Sequence, residues 1–131
     1  MKIDNMKHIL LIDDNTIDNY INKLIVMESK IADSITVMDS GVDALEFLNN
    51  LIGNNEPFPE LIFLDIQMPE MDGFEFLDEF DKFPEDKKER CTINLLSSSK
   101  DPSDIRRAEE YTYVKNFFSK PMKAEMLKNI K

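Results

Sequence analysis

Five short apolar runs punctuate the chain, at His8–Ile12, Ile35–Met38, Leu61–Leu64, Ile93–Leu96 and Val114–Phe118. Each gives way to a polar turn and then to a segment with helical spacing. Runs of this length bounded by turn residues read as strands, and strands that alternate with helices form βαβ units and a parallel sheet. The helical segments carry apolar residues three and four apart: Ile17, Tyr20, Ile21 and Leu24; Ala44, Leu45, Leu48, Leu51 and Ile52; Phe76, Leu77, Phe80 and Phe83; and Met122, Met126, Leu127 and Ile130. Each set marks one helix face as apolar. A weaker helix from Pro102 to about Tyr111 offers only Ile105, Ala108 and Tyr111, with Asp101 placed as its N-cap. So thin an anchor predicts a helix that moves easily.

The runs also predict strand order, because central parallel strands are apolar throughout and edge strands are mixed. Ile-Leu-Leu-Ile and Leu-Ile-Phe-Leu read as central, Ile-Thr-Val-Met and Val-Lys-Asn-Phe-Phe as edges. The order that fits is 2-1-3-4-5, an α/β flavodoxin-like (βα)5 three-layer sandwich. It sets the ends of the first and third strands side by side at the switch point, where such sheets bind ligands. The loops Gly53–Glu60 and Phe83–Arg90 read as solvated polar connectors, and the last helix is expected to begin near Met122. With no repeat or linker, residues 1–131 are expected to be one domain without an output module.

Composition narrows the function. With 131 residues, 42% hydrophobic and 32% charged, the chain is long enough for a real core and is not of disordered type. Sixteen Lys and Arg against 26 Asp and Glu give a net charge of −10, which opposes binding to nucleic acid or an anionic membrane. The single Cys91 excludes an internal disulfide, and the N-terminal apolar run is too short for a signal peptide or a membrane span. The expected compartment is the cytoplasm.

Chemistry gathers at the strand ends. Strand one ends in Asp13-Asp14, strand three in Asp65 followed by a turn with Pro69, Asp72 and Gly73, strand four in Ser97-Ser98-Ser99, and strand five in Ser119-Lys120-Pro121. Taken singly, an Asp-Asp pair reads as a turn or cap, three serines as loop, and Lys-Pro as a turn. In a parallel sheet, however, all four lie on one edge. Three carboxylates brought together repel, and a hard divalent cation such as Mg²⁺ relieves that repulsion while accepting phosphate oxygens. A lysine and a hydroxyl alongside suit a bound phosphoryl group.

This set, DD, then D-x-x-MP-x-MDG, a hydroxyl after strand four and KP after strand five, resembles the receiver domain of two-component response regulators from His8 to Ile130. The resemblance implies that Asp65 is the phospho-acceptor. It implies that Asp13, Asp14 and Asp65, with the backbone carbonyl of Gln67, hold Mg²⁺ or Mn²⁺. Lys120 would partner the phosphate, Ser97 would be the switch hydroxyl, and Phe117 the aromatic that follows it inward. Ser98 and Ser99 would neighbour the phosphate, with Gln67 and Ser99 setting the rate at which water removes it. The moving surface would be the helix from Pro102, the fifth strand and the last helix.

The implied partners are a histidine kinase or phosphotransfer protein and a downstream protein target, with the chain a monomer or a weak phosphorylation-linked dimer. It would be a self-phosphorylating and autodephosphorylating switch rather than a turnover enzyme. Phe117, where tyrosine is commoner, removes a hydroxyl from that switch. Other readings are a receiver cut from a hybrid kinase, a module that binds without phosphorylation, and an aspartyl phosphatase of the haloacid dehalogenase type, whose D-x-D-x-T spacing LLIDDNT lacks. His8, ahead of strand one, reads as a strand-edge residue, and the methionines and the Phe-rich third helix as core.

Overall fold

A computed structural model describes residues 7–98, 101–128 and 130. The strands are β1 (Lys7–Ile12), β2 (Ala32–Met38), β3 (Leu61–Asp65), β4 (Thr92–Ser97) and β5 (Val114–Ser119). They form one parallel sheet in the order β2-β1-β3-β4-β5, as the distribution of apolar runs requires. Between and after them run α1 (Thr16–Ser29), α2 (Gly41–Gly53), α3 (Gly73–Phe80), the single turn α4 (Glu85–Lys88), α5 (Pro102–Ala108) and α6 (Ala124–Lys128). None of these helices is long and apolar enough to cross a membrane.

Alternation along the strands divides the core between the two faces. Leu10, Ile12, Ile62, Leu64, Ile93 and Leu95 pack under α2, α3 and α5, with Leu48, Leu77 and Phe80. Ile9, Leu11, Leu61 and Phe63 turn the other way, onto Val26 of α1 and Leu127 of α6. Both faces of β1 and β3 are therefore covered, which is why those runs are apolar without interruption.

Helix α1 departs from the spacing argument. Ile17, Tyr20, Ile21 and Leu24 share a face as expected, but that face points outward: Ile17 is 69% exposed and Tyr20 65%. The residues turned inward are Asn19, Asn22 and Val26. A polar tether accounts for the rotation. Asn19 Nδ2 donates to the Asp13 carbonyl at 2.7 Å, and Asn15 caps the helix by accepting from the Ile17 and Asp18 amides. The inward face still buries Val26 and part of Ile25 in the core, and the Asn19 bond satisfies the Asp13 carbonyl beside them.

The remaining differences are local. The segment Phe83–Arg90 contains α4, α5 ends at Ala108 instead of Tyr111, and α6 starts at Ala124, two residues past Met122. The two connectors are also less polar than their sequences. Phe58 is buried, and Phe83, just beyond the end of α3, meets it edge-on at 5.3 Å, while Lys87 Nζ donates to the Glu56 carbonyl at 3.0 Å. His8 donates or accepts across the edge to Thr36 Oγ1 at 2.9 Å and packs on Phe47; burial lowers its pKa and favours the neutral ring. It is a structural residue at the end of β1 away from the site.

Candidate functional site

Strand register assembles the site. Ile12 pairs with Leu64, so the next residue on each strand, Asp13 and Asp65, emerges beside the other at the carboxyl edge. Ser97 pairs with Ser119, which places Lys120 one step beyond on the neighbouring strand, and the Lys120 amide donates to the Ser97 carbonyl at 2.9 Å. The Lys120–Pro121 peptide is cis. An open pocket of about 530 Å³ lies over this edge, and Asp13, Asp14, Asp65, Gln67, Ser98 and Lys120 all line it.

The turn after Asp65 is built with little slack. Glu70 takes a left-handed φ of 66°, the Met71 amide donates to Pro69, and the Gly73 amide donates to the Ile66 carbonyl at 2.7 Å. Asp72 then caps α3 in a reciprocal pair with Glu75. The sequence MPEMDG is thus a turn followed by a helix start, and it fixes where β3 ends.

Asp13 and Asp65 are both almost fully buried, at 2% and 4% exposure. Burial, and then the charge of Asp13, push the Asp65 carboxyl up to about 6, while the Lys120 ammonium and the Gln67 amide pull it partly back. Lys120 Nζ lies 2.8 Å from Asp13 Oδ2, 3.0 Å from Asp18 Oδ2 and 3.4 Å from Asp65 Oδ1. Burial works against its charge, yet the hydrogen bonds to Asp13 and Asp18 and the charge of Asp65 prevail and hold it above the ordinary lysine value.

The site fits a hard divalent cation. Asp13, Asp14 and Asp65 each offer an oxygen, all within 4.8 Å of one another. Asp13 Oδ2 is buried, and beyond its 2.8 Å ion pair with the lysine ammonium it has no well-formed hydrogen bond among the described residues. Such an all-oxygen donor set suits Mg²⁺ or Mn²⁺ over Zn²⁺ or copper.

Of the remaining residues singled out in the sequence, Ser97 is fully buried at the end of β4 and Ser98, not Ser97, lines the pocket. Ser98 Oγ donates to Gln67 Oε1 at 3.1 Å. Phe117 is half-buried against the core and borders a groove with Ile105 and Ala108 of α5. Ser99 lies outside the described residues. The sequence reading passed over Asp18, in the first turn of α1, although a helix that begins two residues after an acid pair must present its first turn to the same pocket.

Comparison with known proteins agrees with this architecture. Residues 9–130 match the family described as the response regulator receiver domain. The two-component response regulator ORR11 of Oryza sativa subsp. indica is 31% identical over 116 residues, spanning 88% of this chain and 72% of that one. A two component response regulator from Cytophaga hutchinsonii superposes with a TM-score of 0.87 at 35% identity, covering 95% of this chain and 92% of that one. The Mn(2+)-bound form of response regulator Rcp1 gives a TM-score of 0.74 at 29% identity, over 92% of this chain and 86% of that one. The chain belongs to the response regulator receiver domain family of two-component systems. Its acidic cluster is the kind of site at which receivers bind a divalent metal.

Proposed function

We propose that this receiver is a phosphorylatable switch whose acceptor is Asp65, working in the cytoplasm. The observation that carries the reading is the buried Asp65 carboxylate, 3.4 Å from the Lys120 ammonium and within reach of Asp13 and Asp14. A purely structural domain gains nothing from crowding three carboxylates, because their repulsion works against folding.

In this reading an Asp65 carboxylate oxygen attacks the phosphorus of a phosphohistidine on a histidine kinase or phosphotransfer protein. The new O–P bond forms as the P–N bond breaks, and the imidazole, already protonated on its other ring nitrogen, leaves as the neutral ring with the P–N electron pair. Asp13, Asp14, Asp65 and the Gln67 carbonyl would hold Mg²⁺, with Mn²⁺ able to replace it. The bound ion would supply positive charge against the carboxylates and the phosphoryl oxygens. Lys120, anchored through its amide to Ser97, brings a further positive charge. Water later cleaves the acyl phosphate, at a rate that the side chains of Gln67 and Ser99 would set.

The switch would be read on α5, β5 and α6. Ser97 turns toward the phosphoryl group and Phe117 moves inward against the groove it shares with α5, a two-state element biased by charge at the pocket. The exposed face of α1 supports a docking role for the donor protein, since Ile17 at its start lines the pocket and Tyr20, Ile21 and Leu24 continue the apolar surface away from it.

Beryllofluoride with Mg²⁺, followed by amide NMR, tests the switch. Shifts should appear first around residues 65–67 and then along β5 and α5. Shifts confined to the metal ligands would contradict the switching part.

A further inference from the structure

Lys120 has a partner that neither the metal site nor the acceptor requires. Asp18 Oδ2 accepts from its ammonium at 3.0 Å, across 102 residues of sequence, from the first turn of α1. An acid there is favoured by the helix dipole, but the dipole does not explain why the side chain reaches over the pocket to the lysine. An ammonium has three N–H donors, and here three carboxylates surround it, with Asp13 and Asp18 closer than Asp65. The ammonium is thus engaged by carboxylates, the Asp18 hydrogen bond among them, before any phosphoryl oxygen arrives.

From this geometry we infer that Asp18 is a positioning residue, holding Lys120 on the α1 side of the pocket before phosphorylation and acting as a brake on phosphoryl capture. The inference rests on Asp65 as acceptor. To engage a phosphoryl group, Lys120 must give up or weaken its contact with Asp18. The Asp18 charge also repels the incoming dianion, in a pocket already lined by Asp13, Asp14 and Asp65. Its side chain is 37% exposed, so water screens part of that repulsion and the brake is moderate.

The test compares the wild-type chain with Asp18→Asn and Asp18→Glu in saturating Mg²⁺. The readouts are the initial rate of phosphorylation by acetyl phosphate and the beryllofluoride concentration at half-saturation. Asp18→Asn should raise the rate roughly threefold to tenfold and lower the half-saturation point by a similar factor, as expected for one partly screened charge. Added salt should narrow the difference, and Asp18→Glu, which keeps the charge, should stay near wild type. Asp18→Ser, a second uncharged variant, must move in the same direction. A merely structural role would slow both uncharged variants or leave both readouts unmoved, and either result overturns the brake while wild type is still labelled. If wild type takes no label, the acceptor reading itself fails and the brake with it.

Discussion

Gly73 lies directly beneath the strand that carries Asp65: a Cβ at Gly73 would stand 2.9 Å from the Asp65 carbonyl oxygen and 2.8 Å from the Ile66 Cα. Both neighbours are backbone, which cannot swing aside as a flexible side chain does. The close approach also lets the Gly73 amide donate to Ile66. Asp65 is held, in effect, by a residue eight positions later.

Gly73→Ala should therefore cost stability, by about 2 kcal/mol as overpacking of a tight interior usually does. The variant should also bind Mg²⁺ more weakly, because relief of the clash displaces the end of β3 that carries Asp65. Thermal denaturation and calorimetric metal titration check both effects; an unchanged melting temperature would contradict the packing argument.

Asp65 is expected to oppose folding of the metal-free protein at neutral pH. Its folded pKa, about 6, lies above its unfolded value, so its favourable contribution is fully present below about 4 and is lost as pH rises through about 6. Asp65→Asn has no such loss. Without divalent metal, the variant should be more stable than wild type at pH 7, on the order of 1–3 kcal/mol, with the gap closing as the pH falls toward 4. Urea denaturation at several pH values measures the gap, and Mg²⁺ bound at the proposed site of the folded wild type should shrink it.

The outward face of α1 gives a different kind of prediction. Ile17 and Tyr20 are largely exposed, so Ile17→Ser and Tyr20→Ser should change stability by no more than about 0.5 kcal/mol. If the face docks a phosphodonor protein, the same variants should slow transfer from that protein while acetyl phosphate labels them at the wild-type rate. Equal slowing with both donors would place the effect in the site itself.

These same residues mark how far the sequence is legible. β1 and β3 stand out because burial on both faces leaves Ile9–Ile12 and Leu61–Leu64 without a polar residue, and the edge strands stand out by the opposite rule. Asp13, Asp14, Asp65 and Lys120 were legible because strand ends of a parallel sheet share an edge. The rotation of α1 was not, since apolar spacing says that a face exists but not which way it turns; that is decided by Asn19 reaching the Asp13 carbonyl. Phe58 was hidden in a polar loop whose partner, Phe83, comes 25 residues later and meets it at 5.3 Å. Nor could the contact of Asp18 with Lys120 be read from spacing, because it joins the first helix to the last strand's end.

The central claim is that Asp65 receives the phosphoryl group. Intact-protein mass spectrometry after incubation with acetyl phosphate and Mg²⁺ tests it most directly, alongside Asp65→Asn and a sample with excess chelator. The account predicts a single added phosphoryl group on wild type, sensitive to base as an acyl phosphate is, and none in the other two samples. Labelling of Asp65→Asn equal to wild type, or no labelling of wild type by acetyl phosphate or a cognate kinase, would contradict it.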